Sequence, residues 1–203
     1  MAKNIGKADD GRDLIEPKSA ADWRAWLAKN HAVADPIWLV FHKKGSDGST
    51  LTYDQAVEEA LCFGWIDSTV KTLDERRSRQ FFSRRKKTST WSASNKARVK
   101  VLIADGRMTP AGMESIEAAK ANGMWSALDS VEALEVPDDL ATALRRRKDA
   151  AKNFEAFSSS SKKTILWWIQ SAKRTETRET RIAETARLAG LNMRANHPEA
   201  RGL

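Results

Sequence analysis

The residues whose types and spacing could support chemistry crowd into the stretch from Phe63 to Asn95. It contains FGWID at Phe63 to Asp67, FFSRRK at Phe81 to Lys86 and STWSASN at Ser89 to Asn95. Trp65 and Asp67 stand two positions apart, so on a strand they share a face. With Arg84 and Trp91 beside them they would line a pocket where indoles stack and a guanidinium holds an anion. The same residues also read as core tryptophan with a surface Asp–Arg ion pair. Ser92 and Asn95 have the spacing of a helix N-cap and its third helical residue, whose free amides can receive an anion. Arg84, Arg85, Lys86 and Lys87 lie just before that terminus, although capping alone accounts for Ser92 and Asn95.

Elsewhere the chemistry thins out. Cys62 precedes Gly64 near an expected helix C-terminus, where the negative end of the dipole raises a thiol pKa, so it reads as a structural thiol. His31, His42 and His197 are scattered and lack a serine or cysteine partner at a recognised spacing. Patterns for dinucleotide, nucleoside-triphosphate or zinc-protease chemistry are missing, and no catalytic residue, cofactor or metal site is expected. Arg174, Arg178 and Arg181 recur at helical spacing and would track phosphates or acidic partner residues from one face. Glu176, Glu179 and Glu184 interleave with them, which is also the pattern of a solvated helix with local ion pairs.

Net charge points the same two ways. The 203 residues carry 35 basic and 27 acidic side chains, a formal +8, which favours polyanionic partners without specifying one. Nucleic acid would be met by the basic run Arg84 to Lys87, with Trp91 for stacking. With 41% hydrophobic and 31% charged residues the chain has a globular composition, and its apolar runs are too short to span a bilayer. Met1 to Arg12 is polar with no apolar core of a secretory signal, and the lone cysteine suits a reducing compartment; a cytoplasmic protein is expected.

The elements that must position these residues are legible in the caps. Ser19 with Asp22 opens a helix carrying Trp23, Trp26 and Leu27, with Asn30 as its stop. Ile37 to His42 is a buried strand after Pro36, with a turn at Gly45, Ser46, Asp47 and Gly48. Thr52 with Gln55 caps a second helix through Ala56, Val57, Ala60 and Leu61, which Gly64 ends. Trp65 to Leu73 and Arg79 to Arg84 then read as an antiparallel hairpin about Asp74, Glu75 and Arg76. Helices follow from Ser92 to Gly106, from Thr109 and Pro110 to Gly123, and from Pro137 through Leu140 and Leu144. The serine run Ser158 to Ser161 separates that segment from Ile165, Trp168 and Ile169, and Thr175 to Ala189 forms the last helix, closed by Gly190.

ALCFGWID ending at Asp67, GRMTPAG at Gly106 to Gly112 and WWIQSAKRTETRETRI at Trp167 to Ile182 together resemble the YdeI/OmpD-associated family, also called bacteriocin-protection proteins. The resemblance covers roughly Asp22 to Leu188. It implies an α+β fold: a small mixed N-terminal domain similar to YjbR/CyaY-like domains, followed by an all-helical OmpD-associated region. It also implies a role in protection against bacteriocins or cationic stress, and it supplies no reaction and no catalytic residues. The frataxin-like similarity would suggest iron, but the helices lack the acidic ridge that a hard cation requires. Direct capture of cationic peptides is disfavoured by the net charge of +8.

The expected organisation is a flexible tail over 1–18, an α+β domain over 19–91, a helical region over 92–190 and a second tail over 191–203. The expected function is non-enzymatic binding or stress response, through a protein partner or an anionic ligand. The alternatives are a nucleic-acid binder and a small-ligand pocket.

Overall fold

The computed structural model describes residues 2–43 and 48–197. The chain divides between Ser126 and Ala127 into two compact units. The first is α+β. Its strands are β1 (Lys3–Lys7), β2 (Asp13–Glu16), β3 (Ile37–His42), β4 (Trp65–Thr72) and β5 (Arg77–Arg84). They form a five-stranded sheet in the order β1-β2-β3-β5-β4. β2 runs parallel to β3, and the other neighbours are antiparallel. β3 is the spine, buried from Ile37 to Phe41, as its unbroken apolar run requires.

Helices α1 (Ala20–Asn30), α2 (Tyr53–Cys62), α3 (Ala93–Ala104) and α4 (Pro110–Ala121) complete the unit. The caps fall where the sequence put them. Ser19 accepts the amide of Asp22, Ser92 that of Asn95 and Thr109 that of Gly112, while Thr52 and Gln55 form a reciprocal capping box. Each such cap is worth about 1 kcal/mol. At the end of α2, Gly64 takes a left-handed φ of 71°, which turns the chain directly into β4.

Strand alternation divides the sheet residues into two faces. Ile37, Leu39, Phe41, Trp65 and Phe82 join Trp23, Leu27, Ala60 and Leu61 in the main core. Leu14, Trp38 and Val40 form a smaller apolar cluster on the opposite face. There Trp38 lies under the guanidinium of Arg79, 4.7 Å from the ring centroid, and its Nε1–H donates to Asp10.

The second unit is helical: α5 (Asp129–Glu132), α6 (Asp138–Arg145), α7 (Ala150–Ala156), α8 (Ser159–Gln170) and α9 (Thr175–Gly190). Leu140, Leu144, Phe154, Ile165, Ile169, Ala186 and Ala189 build its core.

The expected organisation needs correction at several places. Residues 1–18 are not a flexible tail throughout, because β1 and β2 add two strands to the sheet and Leu14 and Ile15 are buried. The compact units part at Ser126 rather than after residue 91, since α3 and α4 pack Val99, Leu102, Ile116 and Ala119 into the α+β core. The serine run is no separator: Ser158 caps α8 and Ser159 to Ser161 form its first turn. Ala195 of the expected C-terminal tail is buried in the helical core. Gly45, Ser46 and Asp47 of the expected turn lie outside the described residues, as do 198–203.

Candidate functional site

A cleft of about 790 Å³ opens at the edge of the α+β unit, where the end of β3 and the hairpin β4–β5 meet the residues leading into α2. Asp67 stands in its wall. Its Oδ2 accepts the hydroxyl of Tyr53 at 3.1 Å and the amide Nε2–H of Gln80 at 2.6 Å. Oδ1 accepts no hydrogen bond among the described residues. Register explains the arrangement. Asp67 pairs with Phe82, so Gln80 is its diagonal neighbour on the same face, and a bulge between Asp67 and Val70 shifts the pairing so that Val70 faces Gln80. Tyr53 is the first residue of α2 after the Thr52 cap, which swings its ring to the cleft mouth, where it remains 46% exposed. Burial, then the nearby Asp67 charge, pushes the Tyr53 phenol up, so it stays a donor at neutral pH. Ser68, Ser78, Thr50 and Ser49 add hydroxyls, and Phe41 and Leu51 supply an apolar floor. A carboxylate oxygen without a partner offers an acceptor, so the chemistry of this wall suits donors such as hydroxyl or ammonium groups.

The expected site residues do not converge on that cleft. Trp65 is fully buried, packs edge-on against Trp26 at 5.8 Å and donates to the His31 carbonyl at 3.0 Å. It is core. Arg84 is exposed and donates to the Ala32 carbonyl at 2.8 Å, pairing across the strands with Trp65 instead of with Asp67. Arg85 is the residue that turns inward. Its guanidinium lies 3.7 Å from the centre of the Trp91 ring, and Nη2 donates to the Thr90 carbonyl at 2.5 Å. Burial pushes its pKa down to about 10, partly opposed by the charge of Asp67. Arg85 Nε and Nη1 and Trp91 Nε1 are buried without a hydrogen-bond partner among the described residues. Trp91 is 1% exposed, so its ring is not offered to a nucleic-acid base. Ser92 and Asn95 act as the cap of α3, and Asn95 Oδ1 accepts from Arg98 at 3.4 Å. Lys86 and Lys87 are exposed beyond the end of β5.

On α9 the three arginines are not a uniform row. Arg174 occupies the N-cap position, Arg178 makes a two-point ion pair with Asp139 at 2.8 and 3.0 Å, and Arg181 donates to the Trp168 carbonyl and to Ser171 Oγ. Arg178 and Arg181 therefore hold α9 to α6 and α8.

A second polar cluster sits beneath α1 and α2. Glu59, 5% exposed, receives Arg24 at 2.7 Å and Arg107 at 2.8 Å, and Arg107 also reaches Glu58 at 3.0 Å. Arg24 donates to the Arg107 carbonyl as well. Every short contact in this cluster is satisfied within the protein, the mark of a structural clasp. Cys62 is next to it, fully buried, and burial raises its thiol pKa.

Tyr53 and Gln80 were not singled out by sequence reasoning. The usable signals were the position of the chain's one tyrosine directly after a capping box, and the alternation of β5 that puts Gln80 on the Phe82 face.

The molecule is thus an α+β unit joined in sequence to a helical one. Residues 133–190, within the helical unit, match the family described as "Bacteriocin-protection, YdeI or OmpD-Associated", the family that the sequence motifs resemble. Residues 15–115 match a domain of unknown function, DUF8412. No curated protein and no solved structure matches the chain. Among the described residues no helix is long and apolar enough to cross a membrane.

Proposed function

We propose that the protein is a non-enzymatic binding protein of the bacteriocin-protection type, whose α+β unit takes a small polar ligand in the cleft at Asp67. One observation carries this reading: Asp67 is fixed by Tyr53 and Gln80 through one oxygen while the other is left to accept from a guest. A carboxylate held by two donors is pre-oriented, which lowers the entropic cost of binding. The ring of hydroxyls around it suits a ligand rich in hydroxyl or ammonium groups. Protection, on this reading, works through that ligand or an anionic partner, since a net charge of +8 repels cationic peptides.

The test is thermal unfolding of the full chain against a panel of sugars, polyols and amino alcohols. A saturable rise in Tm with at least one of them, lost in Asp67→Ala and reduced in Tyr53→Phe, is expected. No shift at millimolar ligand, or a shift that survives Asp67→Ala, removes the cleft from consideration.

A further inference from the structure

We propose that the groove between α3 and α4 binds a single-chain anionic amphiphile, of which an acyl carboxylate is the simplest case. The groove is separate from the Asp67 cleft and shares no lining residue with it. Its volume is about 440 Å³, and Val99, Ile103, Ile116 and Trp125 give it an apolar floor. Ile103 is 44% exposed at the groove, on a helix that buries Val99 and Leu102 and exposes Val101 away from the groove.

Only lysines interrupt this surface. Lys96, Lys100 and Lys120 line the groove. The ammonium groups of Lys96 and Lys120 lie 5.5 and 5.8 Å from the centre of the Trp125 ring, which concentrates positive charge at one end of the apolar strip. The helix itself is unbalanced: ASNKARVKVLIA carries Lys96, Arg98 and Lys100 with no acid. Arg98 pairs with Asp54 at 2.6 Å, and Lys96 and Lys100 stand one turn apart on the same helix, a like-charge spacing that is mildly destabilising. Lys120 pairs with Glu117, but both side chains are at least half exposed, so the pair is weak and exchangeable.

An apolar strip with cations gathered at one end is complementary to a molecule with a hydrocarbon chain and an anionic head. The chain would lie over Ile103, Val99 and Ile116, and the head would meet the ammonium groups at Trp125. A sugar phosphate or nucleotide lacks the apolar surface to cover this floor, and a cationic amphiphile would meet repulsion at the rim.

The experiment is calorimetric titration of the full chain with octanoate, decanoate and dodecanoate below their micelle concentrations. Saturable binding is expected that tightens along the series, by up to about three- to fourfold per methylene buried. Binding should weaken with added salt, and dodecyltrimethylammonium should bind at least tenfold more weakly than dodecanoate. Ile103→Glu and Lys100→Glu should each cost tenfold or more. Both positions are on the surface of α3, and Lys100→Glu puts opposite charges one turn apart, so the fold is retained; circular dichroism checks it. The proposal is overturned by equal binding of the cationic amphiphile, by affinity independent of chain length, by affinity unchanged in folded variants, or by no saturation. A labelled acidic amphipathic peptide is run in parallel: if it binds where dodecanoate does not, the groove docks a protein helix and the proposal fails.

Discussion

The guanidinium of Arg85 lies over the indole of Trp91, 3.7 Å from the ring centroid, with two of its nitrogens buried and without a hydrogen-bond partner among the described residues. The stacking favours the charge, and its desolvation opposes it strongly enough to bring the Arg85 pKa down to about 10. Because the folded-state pKa is below the ordinary guanidinium value, the unfolded chain holds this proton to higher pH. The contribution of Arg85 to stability is therefore unfavourable below about pH 10 and eases as pH climbs above it. Arg85→Met, which keeps length and removes charge, is expected to unfold within about 1 kcal/mol of the wild type at pH 7, or above it. Trp91→Ala should lose about 3–5 kcal/mol. In urea titrations at pH 7 and pH 11, the wild type should gain on Arg85→Met at the higher pH. A loss of more than about 2 kcal/mol in Arg85→Met at pH 7 would mean that its buried donors are satisfied by something bound.

Glu59 behaves differently, because its charge is buried and fully answered by Arg24 and Arg107. Truncation leaves two guanidiniums facing an apolar wall beside Phe63 and Cys62. Both arginines keep about a third of their side-chain surface in water, which softens the cost below that of a wholly buried pair. Glu59→Ala is expected to lose about 2–3 kcal/mol in chemical denaturation, and Arg24→Ala about half of that. Equal, negligible losses would show that the clasp does not hold α1, α2 and the Arg107 segment together.

Why some of this was legible and some was not follows from where the signal resides. Caps are local: Ser19, Thr52, Ser92 and Thr109 announce their helices within four residues, and β3 announces itself by an unbroken apolar run. β1 carries no such mark. Lys3 to Lys7 is exposed at every position, and it is a strand only because Asp13–Glu16 pairs with it and with β3. The candidate site failed by one residue. Arg84 still belongs to β5 and faces out, whereas Arg85 leaves the ladder by donating its amide to Gly64 and turns in over Trp91. Four consecutive basic residues give no local cue to which of them does so. Asp67 was singled out from the sequence, but its hydrogen-bond partners Tyr53 and Gln80 come from α2 and β5, and only the fold joins them.

In the helical unit, Asp139 and Arg178 tie the start of α6 to α9. The Arg178 guanidinium holds the Asp139 carboxyl below its ordinary 3.8. With the folded-state pKa depressed, the stabilisation is present above that ordinary value and is lost as pH falls through the lower folded-state one. Both side chains are partly exposed, so the pair is worth only about 0.5 kcal/mol. Denaturation midpoints at pH 6 and pH 2.5 should show a smaller acid-induced drop in Asp139→Asn than in the wild type. An identical drop would assign the acid sensitivity to other carboxylates.

The most demanding contact involves no charge at all. Gly112 lies in the first turn of α4, inside GRMTPAG, and it lets that helix press on the end of α2. A methyl group there would run into the backbone carbonyl of Cys62, with its carbon only 2.8 Å away, and would come within 2.6 Å of the Met108 methyl. Met108 is flexible and can yield, but the Cys62 carbonyl cannot, because Thr109 Oγ1 donates to it at 2.6 Å and the Thr109 amide at 3.2 Å. The same threonine caps α4, so pushing the helices apart strains the cap and the Thr109–Cys62 hydrogen bonds together. Although alanine is the better helix former by about 1 kcal/mol, Gly112→Ala is expected to destabilise the protein by about 1–3 kcal/mol. A denaturation curve showing Gly112→Ala as stable as the wild type, or more so, would mean that α4 moves away from Cys62 without loss and that the close approach of the two helices is incidental.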